Sequence, residues 1–163
     1  MRQPRGSGDD VTELHEGDLA PDFSLPRSGG GTVSLQSLRG SEVVLYFYPK
    51  DDTSGCTKEA CAFRDQHPVI EEANAIVLGI SPDDVRSHDR FSSKYNLPFP
   101  LLADTDHRVA EAYGVWVQKS MYGRQYMGIE RSTFLIDADG TIKKIWREVK
   151  PDAHVQDVLA ALR

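Results

Sequence analysis

The stretch from Val43 to Asp65 constrains the fold more than any other. Val43-Val44-Leu45-Tyr46-Phe47-Tyr48 is an apolar, β-rich run that suits a buried strand. Pro49 stops it, because its ring carries no N–H for a ladder. Thr53, Ser54 and Gly55 read as turn and cap residues. A helix-forming run follows, with Glu59 and Ala60 early and Phe63 on the buried side, and is expected to reach about Gln66. Cys56 therefore falls in the first turn of a helix that follows a strand. A thiol there faces unpaired backbone N–H groups and the positive end of the helix dipole. Both favour the thiolate.

Cys61 lies five positions further on. In an unbroken helix two such Cα atoms stand about 8.6 Å apart. A disulfide needs less than ~7 Å, so the pair can bond only if the helix opens locally. As a staple such a bond is poor. Closing so short a loop stabilises by roughly 2 kcal/mol, while opening a turn or two loses several hydrogen bonds of ~1 kcal/mol each. A structural disulfide and two inert buried thiols are the alternatives; reversible redox chemistry is favoured over both.

The pattern Pro49-x-x-x-Thr53-x-x-Cys56 resembles the active-site pattern of peroxiredoxins. Cys56 and Cys61 within Gly-Cys-Thr-Lys-Glu-Ala-Cys-Ala-Phe-Arg-Asp resemble the bacterioferritin comigratory protein branch, the Q type with two cysteines on one helix. The resemblance runs from about Asp18 to the C-terminus and includes Ala20-Pro21-Asp22-Phe23-Ser24-Leu25-Pro26 and Phe134-Leu135-Ile136-Asp137. One departure stands out: Ser54 occupies a position where that branch usually has proline.

Taken alone, the rest of the chain predicts an α/β fold, a mixed sheet flanked by helices. Phe23–Leu25 and Thr32–Leu35 flank Arg27–Gly31 as a hairpin. No Gly-Lys-Ser/Thr follows Gly29-Gly30-Gly31, so these glycines read as a turn and not a phosphate cradle. Ala75–Ile80 is a second buried strand. Ser81-Pro82-Asp83-Asp84 opens a helix ending near Asn96, with Ser81 as cap. Asp104–Gly114 is a small helix closed by Gly114, and Val115–Met127 is read as a polar loop, with core or loop packing favoured over pocket lining for Trp116, Tyr122 and Tyr126. Ser132–Ile136 and Ile142–Trp146 form a hairpin, and Pro151–Leu162 is a closing amphipathic helix. The resemblance implies a thioredoxin-like fold with an N-terminal β-hairpin extension. Residues 1–17 are expected as a flexible polar tail and 18–163 as a single domain.

The formal net charge of −6 argues against a general nucleic-acid binder. No apolar run is long enough for a membrane span, and the N-terminus has no secretory h-region. Two cysteines already assigned to redox work do not demand an oxidising compartment, so a cytosolic address is expected. His15, His67, His88, His107 and His154 form no metal-ligand pattern, and neither a metal nor a cofactor is expected. Lys50, Lys58 and Arg64 read as a solvated face.

Peroxide attack puts developing negative charge on the leaving oxygen, which needs preorganised donors. The helix-start N–H groups and the Thr53 hydroxyl are local; a guanidinium has to come from elsewhere. By position alone Arg131 is a solvated strand-end arginine. The resemblance implies that it is the active-site arginine, that Pro49 walls the pocket, and that Cys56 is the peroxidatic nucleophile. It further implies that Cys61 resolves the Cys56 sulfenic acid as an intramolecular disulfide, recycled by a thioredoxin- or glutaredoxin-like reductant, in a monomer or weak homodimer. The substrates would be hydrogen peroxide and organic hydroperoxides. Two rivals remain: a dithiol–disulfide oxidoreductase, which normally uses Cys-x-x-Cys, and a non-catalytic thioredoxin-fold binding or holdase module.

Overall fold

The computed structural model describes residues 13–162. A five-stranded sheet forms its centre. β3 (Glu42–Phe47) lies between β4 (Ala75–Ser81) on one side and β8 (Ser132–Ile136) on the other, with β5 (Leu101–Ala103) beyond β4 and β9 (Ile142–Trp146) beyond β8. β3, β4 and β5 run parallel; β8 pairs antiparallel with β3, and β9 antiparallel with β8. The alternation of β3 side chains builds two cores. Val43, Leu45 and Phe47 pack with Phe23, Tyr113 and Phe134 on one face. Val44 and Tyr46 pack with Ala60 and Phe63 of α1 (Ser54–Asp65) on the other, and Tyr48, just past the strand, joins them. This is the mixed, helix-flanked sheet expected of a thioredoxin-like fold.

β1 (Ser24–Pro26) and β2 (Thr32–Ser34) pair as the N-terminal hairpin. All three turn glycines have positive φ, a conformation L side chains rarely adopt. α2 (His67–Glu72) starts beside Pro68, which occupies an N-terminal position where no N–H is needed. α3 (Val85–Tyr95), α4 (Arg108–Ala112) and α5 (His154–Ala161) complete the helices.

Several local readings are corrected. Val115–Met127 is not a loop: β6 (Trp116–Met121) and β7 (Arg124–Ile129) form a separate two-stranded arm. Tyr122-Gly123 turns it with both residues at positive φ, a turn that polar composition concealed. Trp116 stacks on His107 at 3.9 Å, and Tyr122 is 95% exposed at the tip. Ser81 does not cap α3; it ends β4, and Asp84 caps the helix by accepting from Ser87 N–H. Arg64 is not simply solvated, since its Nη1 donates to the Tyr95 carbonyl at 2.8 Å. Of the expected tail, residues 1–12 lie outside the described residues. Leu14 packs on the core, Gly17 N–H donates to Ile142 O at 2.8 Å, and Glu16 accepts from Ile145 N–H, so these residues cover the β9 edge. Among the described residues no helix is long and apolar enough to cross a membrane.

Candidate active site

The site forms where the β3–α1 loop meets the residue preceding β8. Thr53, with extended backbone, is the N-cap of α1. The first helical hydrogen bond runs from Thr57 N–H to Thr53 O, so the N–H groups of Ser54, Gly55 and Cys56 precede the ladder. No side chain caps them. The Thr53 hydroxyl donates to Lys50 O at 2.9 Å. That leaves its oxygen as an acceptor and commits its proton.

Cys56 is buried on the inner face of α1, and its thiol is free. Arg131 Nη2 donates to Cys56 Sγ at 3.2 Å. Nη1 of the same guanidinium donates to Glu59 Oε1 at 2.7 Å. Burial works against the Arg131 charge, but Glu59 and Cys56 outweigh it and hold the guanidinium above its ordinary value. Glu59 behaves the other way. Burial pushes its carboxyl up to about 7, and Arg131 offsets this only in part. Among the described residues, Glu59 Oε2 and the Tyr46 hydroxyl are both buried without a hydrogen-bond partner. Pro49 is half-buried at the end of β3, and Cys61 is half-buried on α1.

The structure thus brings together Cys56 and Arg131, with Thr53 in the cap three residues before the sulfur. Cys61 stands apart by helical geometry, on an α1 that runs unbroken from Ser54 to Asp65.

Three contributors escaped sequence reasoning. Glu59 lies three residues after Cys56 on the same helix face, and that spacing in an otherwise apolar stripe was the available signal. Gly55 has no Cβ because one would stand 3.2 Å from Arg131 Nη2 and 3.3 Å from Pro151 Cγ. Lys119 shares an arm face with Val117, Met121 and Tyr126; burial, then the Arg131 charge, holds its amine below the ordinary value.

A buried thiol at a helix start, hydrogen-bonded by a fixed guanidinium and followed on the same helix by a second cysteine, defines a thiol-redox site on a thioredoxin-like scaffold. The chain belongs to the AhpC/TSA family, which matches residues 17–145. It is 51% identical over 147 residues to peroxiredoxin Bcp of Bacillus subtilis, covering 90% of this chain and 94% of that protein. Against peroxiredoxin Bcp of Escherichia coli K12 it is 46% identical over 153 residues, covering 94% and 98%. It also superposes on a solved structure of the Xanthomonas campestris bacterioferritin comigratory protein, studied for alkyl peroxide reduction. There the TM-score is 0.83 at 45% identity, covering 86% of this chain and 89% of that one.

Proposed function

We propose that Cys56 is the nucleophile of this thiol-dependent peroxidase and that hydrogen peroxide and organic hydroperoxides are its substrates. The observation that carries this reading is the Arg131–Cys56 contact at 3.2 Å above a helix start with free N–H groups.

The Cys56 thiolate attacks one peroxide oxygen. The S–O bond forms as the O–O bond breaks, the leaving oxygen departs as water or an alcohol after taking up a proton, and Cys56 becomes a sulfenic acid. Arg131 and the N–H groups of the first turn are the donors that meet the developing charge. The Thr53 oxygen can accept the hydrogen of the peroxide O–H, and Pro49 limits water.

The Cys61 thiolate then attacks the Cys56 sulfur. The S–S bond forms, and hydroxide leaves as water. Because α1 is unbroken, this step needs the helix to open. A thioredoxin- or glutaredoxin-like dithiol then reduces the disulfide and is itself oxidised. A cytosolic address and a monomer or weak homodimer belong to the same proposal.

The test is intact mass spectrometry after one equivalent of peroxide, coupled to turnover with thioredoxin. Cys56→Ser should consume no peroxide, and Cys61→Ser should react once and stop at a sulfenic acid. Full turnover in Cys56→Ser would overturn the assignment.

A further inference from the structure

The loop between β3 and α1 is tied down at two consecutive residues, and both ties lead away from α1. The Asp51 carboxylate is buried. Its Oδ1 accepts from the Tyr48 hydroxyl, and its Oδ2 accepts from Ser87 Oγ at 2.7 Å and meets His88 Nδ1 at 2.7 Å. His88 is fully buried. Its Nε2 lies 2.8 Å from Leu102 O. A carbonyl only accepts, so Nε2 carries the hydrogen of that contact. The imidazole therefore bridges the loop to the β5 backbone.

The Asp51 N–H donates to Asp83 Oδ2 at 2.8 Å, an oxygen that Ser81 Oγ also reaches at 2.7 Å. Asp51, Asp83 and His88 bring ligand-type atoms within 4.8 Å of one another, but hydrogen bonds to the loop and its neighbours already engage them. Asp52 follows at φ 61° and accepts from Lys94 Nζ at 2.8 Å and Tyr95 Oη at 3.2 Å.

Apart from Tyr48, every side-chain partner among the described residues comes from the end of β4, the turn after it, or α3. The first turn of α1 is held from the opposite side, through Arg131 to Cys56 and Glu59. The loop and the first turn of α1 thus hang on different parts of the fold and meet between Thr53 and Ser54, while α3 meets α1 at its far end, where Arg64 Nη1 donates to Tyr95 O.

We infer that the Asp51–His88 pair is a positioning device. It fixes Pro49–Thr53 on α3, so that the peroxide-binding side of the site stays in place while α1 opens from Ser54 onward to let Cys61 reach Cys56. This rests on the peroxidase reading. It adds residues that touch neither sulfur and separates the two chemical steps: the clamp serves peroxide attack, whereas resolution depends on α1 alone.

The test measures the two steps separately in full-length protein, by rapid-quench mass spectrometry of first oxidation and of disulfide formation. His88→Ala removes the bridge. First oxidation should slow by about tenfold or more, because a small misplacement of reacting groups is costly. Disulfide formation from the sulfenic acid should keep its rate. Added imidazole should refill the ring-sized cavity and restore the first step, a rescue that general destabilisation would not produce.

Ser87→Ala removes one hydrogen bond and carries the test if His88→Ala fails to fold; about threefold slower first oxidation is expected. In the wild type, amide exchange across 50–53 should match in the reduced and disulfide forms while it rises across 54–61. Unchanged first oxidation in both variants, equal slowing of both steps, or a rise across 50–53 on oxidation would overturn the inference. A wild-type protein inert to peroxide would instead remove the peroxidase reading, and exchange across 50–53 in His88→Ala would still report on the clamp.

Discussion

Arg131 Nη2 stands 3.2 Å from Cys56 Sγ although 75 positions separate the two residues. The contact exists because β8 pairs with β3, and Arg131 directly precedes β8 while α1 follows β3 through a short loop. Phe47 opposite Ser132 is the last pair of that ladder, so the arginine emerges beside the helix start. Gly55 leaves the space it enters.

Arg131→Met should keep much of the side-chain volume and remove the donor. Losing one donor of this kind commonly costs about 3 kcal/mol in the transition state, or ~100-fold in rate. Stopped-flow measurement of the first oxidation checks this; an unchanged rate constant removes Arg131 from the chemistry.

Gly55→Ala should act on the same contact indirectly. Its new Cβ would press on Arg131 Nη2 and Pro151 Cγ, so the guanidinium must shift by a few tenths of an ångström. First oxidation should slow, though less than in Arg131→Met, and Gly55→Val should be worse than Gly55→Ala. Wild-type rates in both would mean that Arg131 approaches from another direction in solution.

Glu59 and His154 should pull the pH dependence of stability in opposite directions. Burial raises Glu59 from 4.5 to about 7, so its contribution is complete below its unfolded value and is lost as pH rises to about 7. Burial lowers His154 from 6.5 to about 4, so its contribution is complete above 6.5 and is lost as pH falls to about 4. Each amounts to roughly 3 kcal/mol, and over pH 4.5–6.5 they offset. Glu59→Gln should therefore make stability climb with pH across that window, and His154→Gln should make it fall. Urea titrations at pH 4.5, 5.5 and 6.5 decide it; parallel profiles in both variants would contradict the two assignments.

Oxidation should be visible at Trp146. His154 packs edge-on against both Phe63 of α1, at 6.2 Å between centroids, and Trp146, at 5.3 Å. Opening α1 disturbs Phe63 and hence this stack. Trp146→Phe should abolish most of the fluorescence change on disulfide formation, and Trp116→Phe should leave it. The reverse result would place the moving segment elsewhere.

Ser54→Pro should stabilise the reduced protein by about 0.4–1 kcal/mol. Ser54 is the first helical residue, where an N–H has no helical partner, and Thr53 already has the extended backbone that a following proline requires (φ −93°, ψ 161°). The same substitution should slow disulfide formation relative to peroxide attack, so more sulfinic acid accumulates on Cys56 at high peroxide. A variant that resolves faster than wild type would rule out proline as a brake on opening.

The local order of this chain was legible because it is written in short-range chemistry. The apolar run before Pro49, the cysteine one turn into a helix, and the alternation of strands and helices follow from periodicity and from residues that stop or start elements. The 116–129 arm was not legible, because its outer residues are polar or exposed on both faces and alternate too weakly to read as strands. The five-residue spacing of Cys56 and Cys61 was enough to show that a bond between them does not fit an intact helix.

What the sequence determined by itself is therefore the strand-to-helix unit, the cysteine at its start and the mismatch between a Cys56–Cys61 bond and an unbroken helix. What only tertiary structure decided is which distant groups stand beside that cysteine and beside the loop before it. Arg131 and His88 each carry a side chain whose sequence neighbours predict a solvated or routine role. Their roles come from strand pairing and burial, which join positions 75 and 37 residues apart in the Cys56–Arg131 and Asp51–His88 contacts. Hydrogen bonding and desolvation depend on distance in space, and no local pattern records that distance.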